Sequence, residues 1–206
     1  MFNTQKAPHD QFKALGPLVR TQRQMVTAAW HAFNRHSQAQ LEEMARLRRL
    51  FTLDVDPFFE LVESGLKKDL SVERPDLLKL QGVLTHLELM ADKIGGLEDQ
   101  LRYKANHGVI LSEKDLFSVN NLFSQLTGFM RTLSDIFAIN DPSLKAYLLE
   151  ASQKLTDECY RQETQHETQM MDTPGQPGAW SVYLAILQTS REVAGHLMEI
   201  VKGMDQ

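Results

Sequence analysis

The sequence predicts an all-α protein built from two tandem three-helix units, a six-helix bundle with no sheet. Three observations carry that expectation. Apolar residues recur at steps of three and four along almost the whole chain, the period of one helix face. No segment sustains the period-two alternation of a half-buried strand. The second half also echoes the first at a fixed offset.

The first predicted helix spans about 12–35, with Leu15, Leu18, Val19, Met25, Val26, Ala29, Trp30 and Phe33 on one face and a gap at Gln22. The second carries Leu41, Met44, Ala45, Leu47, Leu50 and Phe51, then Phe58, Phe59, Leu61, Val62 and Leu66. Pro57 interrupts it. A proline in a helix interior removes a hydrogen bond and crowds the preceding turn. A kink is therefore expected there, or a break with Asp56 as the new N-cap. The third helix starts near Pro75, carries Leu77, Leu78, Val83, Leu84, Leu87, Met90, Ala91, Ile94, Leu97 and Leu101, and stops at Asn106-His107-Gly108. Gly108 suits the left-handed conformation past a helix end.

Ser112 is the expected N-cap of the fourth helix, whose face reads Leu116, Val119, Phe123, Leu126, Met130, Leu133 and Phe137. Asp141-Pro142 opens the fifth, with Leu144, Tyr147, Leu148, Ala151 and Leu155. From about 156 to 171 the chain turns polar, so this end is expected to be exposed or frayed. Thr173-Pro-Gly-Gln-Pro-Gly178 reads as a loop. The sixth helix, about 179–203, presents Trp180, Tyr183, Leu184, Leu187, Ala194, Leu197, Met198 and Val201.

The internal echo has an offset of 104 residues. It carries Phe33 onto Phe137, Leu80 onto Leu184, Val83 onto Leu187, Ile94 onto Met198 and Leu97 onto Val201. One offset holding from the first helix of a three-helix unit to the third is the mark of a tandem repeat. The expected organisation is a tail over 1–11, one repeat over 12–106 and another over 112–206. Either unit alone has a thin core, so the two are expected to pack as one globular unit.

Composition narrows the function classes. The 206 residues carry a net charge of −5, which speaks against nucleic acid as the main partner. Arg46, Arg48 and Arg49 form a local basic cluster, more simply read as a solvated helix face. The single cysteine, Cys159, excludes an intramolecular disulfide and fits a reducing compartment. Asp157, Glu158 and Glu163 beside it would raise its pKa and make it a poor nucleophile. No apolar run is long enough to span a membrane, and no secretory signal pattern is visible at the start. A cytoplasmic protein is expected. There is no P-loop, no G-x-G-x-x-G, no G-x-S-x-G and no paired-cysteine zinc motif, so the chain is read as a binding or regulatory module and not as an enzyme.

Acidic pairs are the candidate sites. Glu88-Leu-Met-Ala-Asp92 places two carboxylates one helical turn apart, where they could share a cation. The 104-residue offset carries Glu88 onto Glu192 and Asp92 onto His196, a carboxylate and imidazole pair suited to transition metals. Asp54, Asp56 and Glu60 are candidate further ligands, and Asp157, Glu158, Glu163, His166 and Glu167 form another acidic stretch. The commonplace alternative for all of these is a solvated acidic face. His9, His31, His36, His86 and His107 fit no ligand pattern, and the nine methionines read as core filler.

Leu87-Glu-Leu-Met-Ala-Asp92-Lys-Ile94 resembles the L-E-R-I-G-D motif of the PhoU family. His107-Gly-Val-Ile-Leu-Ser112-Glu resembles its link between repeats. Leu187-Gln-Thr-Ser-Arg191-Glu-Val-Ala-Gly-His196 resembles the final-helix motif, which often reads R-x-x-x-x-H in PhoU-like domains of sodium/phosphate cotransporters. The resemblance covers about 12–204. It implies tandem three-helix units whose acidic motifs can bind divalent or transition metal ions. It also implies a regulator or accessory of phosphate transport and signalling, acting through a protein partner such as a phosphate transporter or sensor kinase. That partner would bring it to the inner face of the membrane without insertion, and a second copy of the chain is a further candidate partner. Leu89 and Ala91 depart from the family's Arg and Gly. The second acidic motif is incomplete, with Gly195 or His196 in place of Asp depending on the alignment, so a full metal cluster at both copies is not expected. The rival readings are a carboxylate-bridged metalloenzyme in a helix bundle and a ligand-free helical scaffold.

Overall fold

A computed structural model describes residues 8–67, 74–172 and 177–205. All regular structure among these residues is helical. Six long helices follow a short one: α1 (Pro8–Lys13), α2 (Gly16–Arg35), α3 (Gln38–Lys67), α4 (Arg74–Asn106), α5 (Glu113–Ile139), α6 (Pro142–Asp172) and α7 (Pro177–Asp205). The first predicted helix is thus divided at Ala14-Leu15, with Pro17 in the first turn of α2, where its missing N–H costs nothing.

The helix ends follow local chemistry. His36 closes α2 in the left-handed region at φ 50°, and Asn140 closes α5 at φ 52°. Gly108 has φ 61°, the left-handed position expected of it after α4. The Ser112 hydroxyl accepts the Asp115 N–H at 3.2 Å and so caps α5. Asp141 does the same for α6, its carboxylate accepting the Ser143 and Leu144 N–H groups at 2.7 and 3.0 Å. The end of α2 has a second clamp. Buried Lys104 of α4 donates to the Phe33 carbonyl at 3.0 Å and sits over the Phe33 ring.

Helices α2, α3 and α4 pack on one another, as do α5, α6 and α7. The two sets meet along α4 against α7 and α2 against α5, leaving α3 and α6 on the outside of the joint core. Contacts pair early α4 residues with late α7 residues, so these two helices run antiparallel. Phe33, Phe51, Phe123 and Phe137 are fully buried, each worth about 1.5–3 kcal/mol of transfer free energy. Gln22, the gap in the apolar face, is also fully buried and donates its amide to the Leu87 carbonyl of α4.

Four expectations need correction. The helix does not break at Pro57: α3 runs through it, so Asp56 is no N-cap. Leu116, Leu78 and Tyr147, placed on apolar faces by periodicity, are exposed; Leu78 and Leu116 lie near the starts of α4 and α5, and Tyr147 near the start of α6. The polar stretch 156–171 is exposed over much of its length, as expected, but not frayed. It is helical throughout and buries Cys159 and His166, because its polar groups find partners across the bundle. Finally, Pro177 and Gly178 belong to α7 and not to a loop, while 173–176, like 1–7, lie outside the described residues.

Candidate functional site

The motif helices α4 and α7 lie side by side, so the two candidate pairs sit on neighbouring helices. On α4, Glu88 and Asp92 are both exposed. Asp92 accepts from Arg48 of α3 at 2.8 Å, across a path kept open by Gly95, where a Cβ would stand 2.7 Å from the Arg48 side chain. On α7, Glu192 pairs with Lys93 of α4 at 3.0 Å and accepts from Gln188 at 3.2 Å. Partial burial opposes its ionisation, but Lys93 and Gln188 hold it below the usual carboxylate range. Each acidic pair therefore has one member already engaged with a cation of this chain. Asp54, Asp56 and Glu60 are exposed on α3. Among the described residues no three His, Cys, Asp or Glu side chains converge as a metal-ligating group.

His196 does something its spacing did not suggest. Its Nδ1 faces Nδ1 of His86 on α4 at 3.1 Å, with ring centroids 5.3 Å apart. Partial burial, then the neighbouring His86, lowers the pKa of His196. Glu199, one turn further along α7, is held below the carboxylate range first by Lys202 and also by the two imidazoles. His86 and Glu199 line an open cavity of about 390 Å³ with Pro75, Leu78, Lys79, Gly82 and Gly203. His86 fitted no linear ligand pattern because its partner is 110 residues away; the only hint in the sequence is its place immediately before the Leu87–Ile94 motif.

A second polar concavity of about 400 Å³ opens where α5, α6 and α7 meet. Buried His166 of α6 lies 3.2 Å from the Asp115 carboxylate. Ser118 donates to Gln162 at 2.6 Å, and the Tyr183 hydroxyl donates to the same amide oxygen at 2.6 Å. This network makes the polar half of α6 a packed element. Asp115, Ser118, Gln162 and Tyr183 were not legible as a cluster, since each reads alone as a cap, a surface polar residue or a core aromatic. Of the acidic stretch on α6, Glu158 pairs with Arg161, Glu163 lies 3.5 Å from Arg191 and Asp157 accepts from Gln153; the Glu167 side chain lies outside the description.

Cys159 is fully buried, and burial, reinforced by Glu163, pushes its thiol up to about 12. The basic cluster is largely neutralised, with Arg46 on Glu43 and Arg48 on Asp92. His107 stacks on Tyr103, and His36 contacts Lys104. No helix among the described residues is long and apolar enough to cross a membrane.

Two antiparallel motif helices, flanked by outer helices in a doubled three-helix arrangement, define the class: this is the PhoU fold. Two solved structures share it nearly end to end. PhoU from Pseudomonas aeruginosa superposes with a TM-score of 0.81 at 15% identity, covering 96% of this chain and 93% of that one. The phosphate transport system regulatory protein PhoU from Streptococcus pneumoniae gives 0.79 at 13% identity, covering 96% and 92%. No protein-family model matches the sequence, and no curated protein is similar enough to count as a relative.

Proposed function

We propose that this chain is a regulatory or accessory protein of phosphate transport or signalling, and that it works by docking on a protein partner and not by catalysis. The observation that carries this reading is the end-to-end likeness to two PhoU structures, one of them a phosphate transport system regulatory protein. Fold alone does not specify function. Here the fold likeness joins the sequence resemblance at Leu87–Ile94, His107–Glu113 and Leu187–His196. In this reading the partner is a phosphate transporter or its sensor kinase, and the chain acts in the cytoplasm at the inner face of the membrane.

Metal binding at Glu88 and Asp92 belongs to the same reading. The Arg48–Asp92 pair is exposed, a kind worth about 0–1 kcal/mol, so a divalent cation can compete with Arg48 for that carboxylate. Glu192 and His196 form the second candidate pair, and Asp54, Asp56 and Glu60 the reserve ligands.

Co-purification from the native host tests the docking reading. Untagged protein recovered under phosphate limitation and under phosphate excess should carry a transporter subunit or a signalling kinase in at least one condition. Recovery of neither, with the chain present and folded, would contradict it.

A further inference from the structure

We propose that His86 and His196 together form a binding site for one transition-metal ion, bridging α4 and α7, and that it is separate from the Glu88–Asp92 pair.

The argument is geometric. A zinc–imidazole bond is about 2.0–2.1 Å, so two nitrogens on one ion stand about 2.9 Å apart at a right angle and about 3.4 Å apart at the tetrahedral angle. The observed Nδ1 to Nδ1 separation is 3.1 Å, within that interval. Ordinary rotamer freedom would let two facing imidazoles meet by edge, face or opposite nitrogens. Here the equivalent nitrogens face each other across two helices at 3.1 Å.

Without a metal, the two Nδ1 atoms can share only one proton: one ring donates and the other accepts. Metal binding needs both lone pairs. The donating ring must therefore carry its proton on Nε2 instead, a change of tautomer with no net loss of a proton. The metal then replaces the shared proton between the two Nδ1 atoms.

The surroundings supply the rest of a coordination shell. Both rings are half-buried and not sealed. The cavity beside His86 runs past two glycines, Gly82 and Gly203, whose missing side chains leave room for water ligands. Glu199 lines the same cavity, one turn from His196, on a flexible stem that now reaches Lys202 at 2.8 Å. It is the available anionic ligand. Two imidazoles and at most one carboxylate favour Zn²⁺, Ni²⁺ or Co²⁺ over Mg²⁺ or Ca²⁺, which take oxygen ligands. The ligands come from both halves of the molecule, so the ion would clasp one three-helix set to the other.

The site does not depend on the docking reading and is tested without it. Full-length, untagged protein, freed of metal with a chelator, is titrated with Zn²⁺, Ni²⁺ or Mg²⁺ by calorimetry, and its thermal transition is followed in parallel. Zn²⁺ and Ni²⁺ should fill one histidine-dependent site per chain and raise the transition, and Mg²⁺ should leave that site empty. Loss of an outer-shell partner alone costs about 10- to 100-fold in metal affinity. His86→Gln and His196→Gln should each therefore weaken Zn²⁺ binding by at least about tenfold, with helical content unchanged by circular dichroism. A Glu88→Ala, Asp92→Ala variant should keep the histidine-dependent Zn²⁺ site. Calorimetry below the transition reads binding even where a variant is less stable. Zn²⁺ binding that survives both histidine substitutions, or that vanishes only in the Glu88→Ala, Asp92→Ala variant, overturns the proposal, as does no binding of Zn²⁺ or Ni²⁺ by the wild type.

Discussion

Cys159 shows how one residue can be judged correctly for an incomplete reason. Its acidic neighbours alone suggest a raised thiol pKa, and they do contribute, but burial is the larger cause. Folding holds the thiol protonated up to about pH 12, whereas an unfolded cysteine ionises near 9.0. Between those values the unfolded chain binds fewer protons than the folded one. This group therefore costs stability as pH rises through that window and costs nothing below it. The accessible consequence is reactivity. At pH 8 a thiol-specific alkylating reagent should leave the native protein unmodified and modify the denatured chain fully. Rapid labelling of the native state would mean that α6 does not pack as described. The harder residues to read were the polar ones inside. Gln22 looked like a gap and is a buried link to α4; Lys104, which periodicity did not single out, clamps the end of α2. Periodicity sees polarity but not the carbonyl waiting across the bundle.

At the scale of elements, helices, boundaries and caps were legible because they depend on local chemistry: Ser112, Asp141 and Gly108 each behave as their residue types demand. What failed was inference from average polarity. The second half of α6 is polar yet ordered, since His166, Gln162 and Glu163 meet Asp115, Tyr183 and Arg191, side chains contributed by other helices. At Pro57 only the break fails: α3 continues through the proline. Val55 and Val62 on either side of it are buried, and their burial carries α3 through. The cost should still be measurable. Proline in a helix interior is about 3 kcal/mol worse than alanine, and its rigidity returns about 0.4–1 kcal/mol through the unfolded state. Pro57→Ala should therefore stabilise the protein by about 2 kcal/mol, which for a chain of this size raises Tm by about 4–8 °C. An unchanged or lowered Tm would show that Pro57 is accommodated without strain.

At the scale of the whole molecule, the 104-residue echo is consistent with the way the helices assemble, with α4 and α7 at the centre and α3 and α6 outside. From that echo the candidate sites were only half legible. It pointed to the positions Glu88, Asp92, Glu192 and His196, but partners on neighbouring helices decide their surroundings: Arg48 of α3 for Asp92, and across the α4–α7 interface Lys93 for Glu192 and His86 for His196. A linear motif cannot report a neighbour 110 residues away. The central claim concerns function, and phosphate flux tests it most directly. Uptake of labelled phosphate is measured in the native host with and without this chain, each at limiting and at ample phosphate. The account predicts that removing the chain changes the difference in uptake between the two conditions, and that the wild-type gene restores it. Identical uptake with and without the chain at both phosphate levels would contradict it.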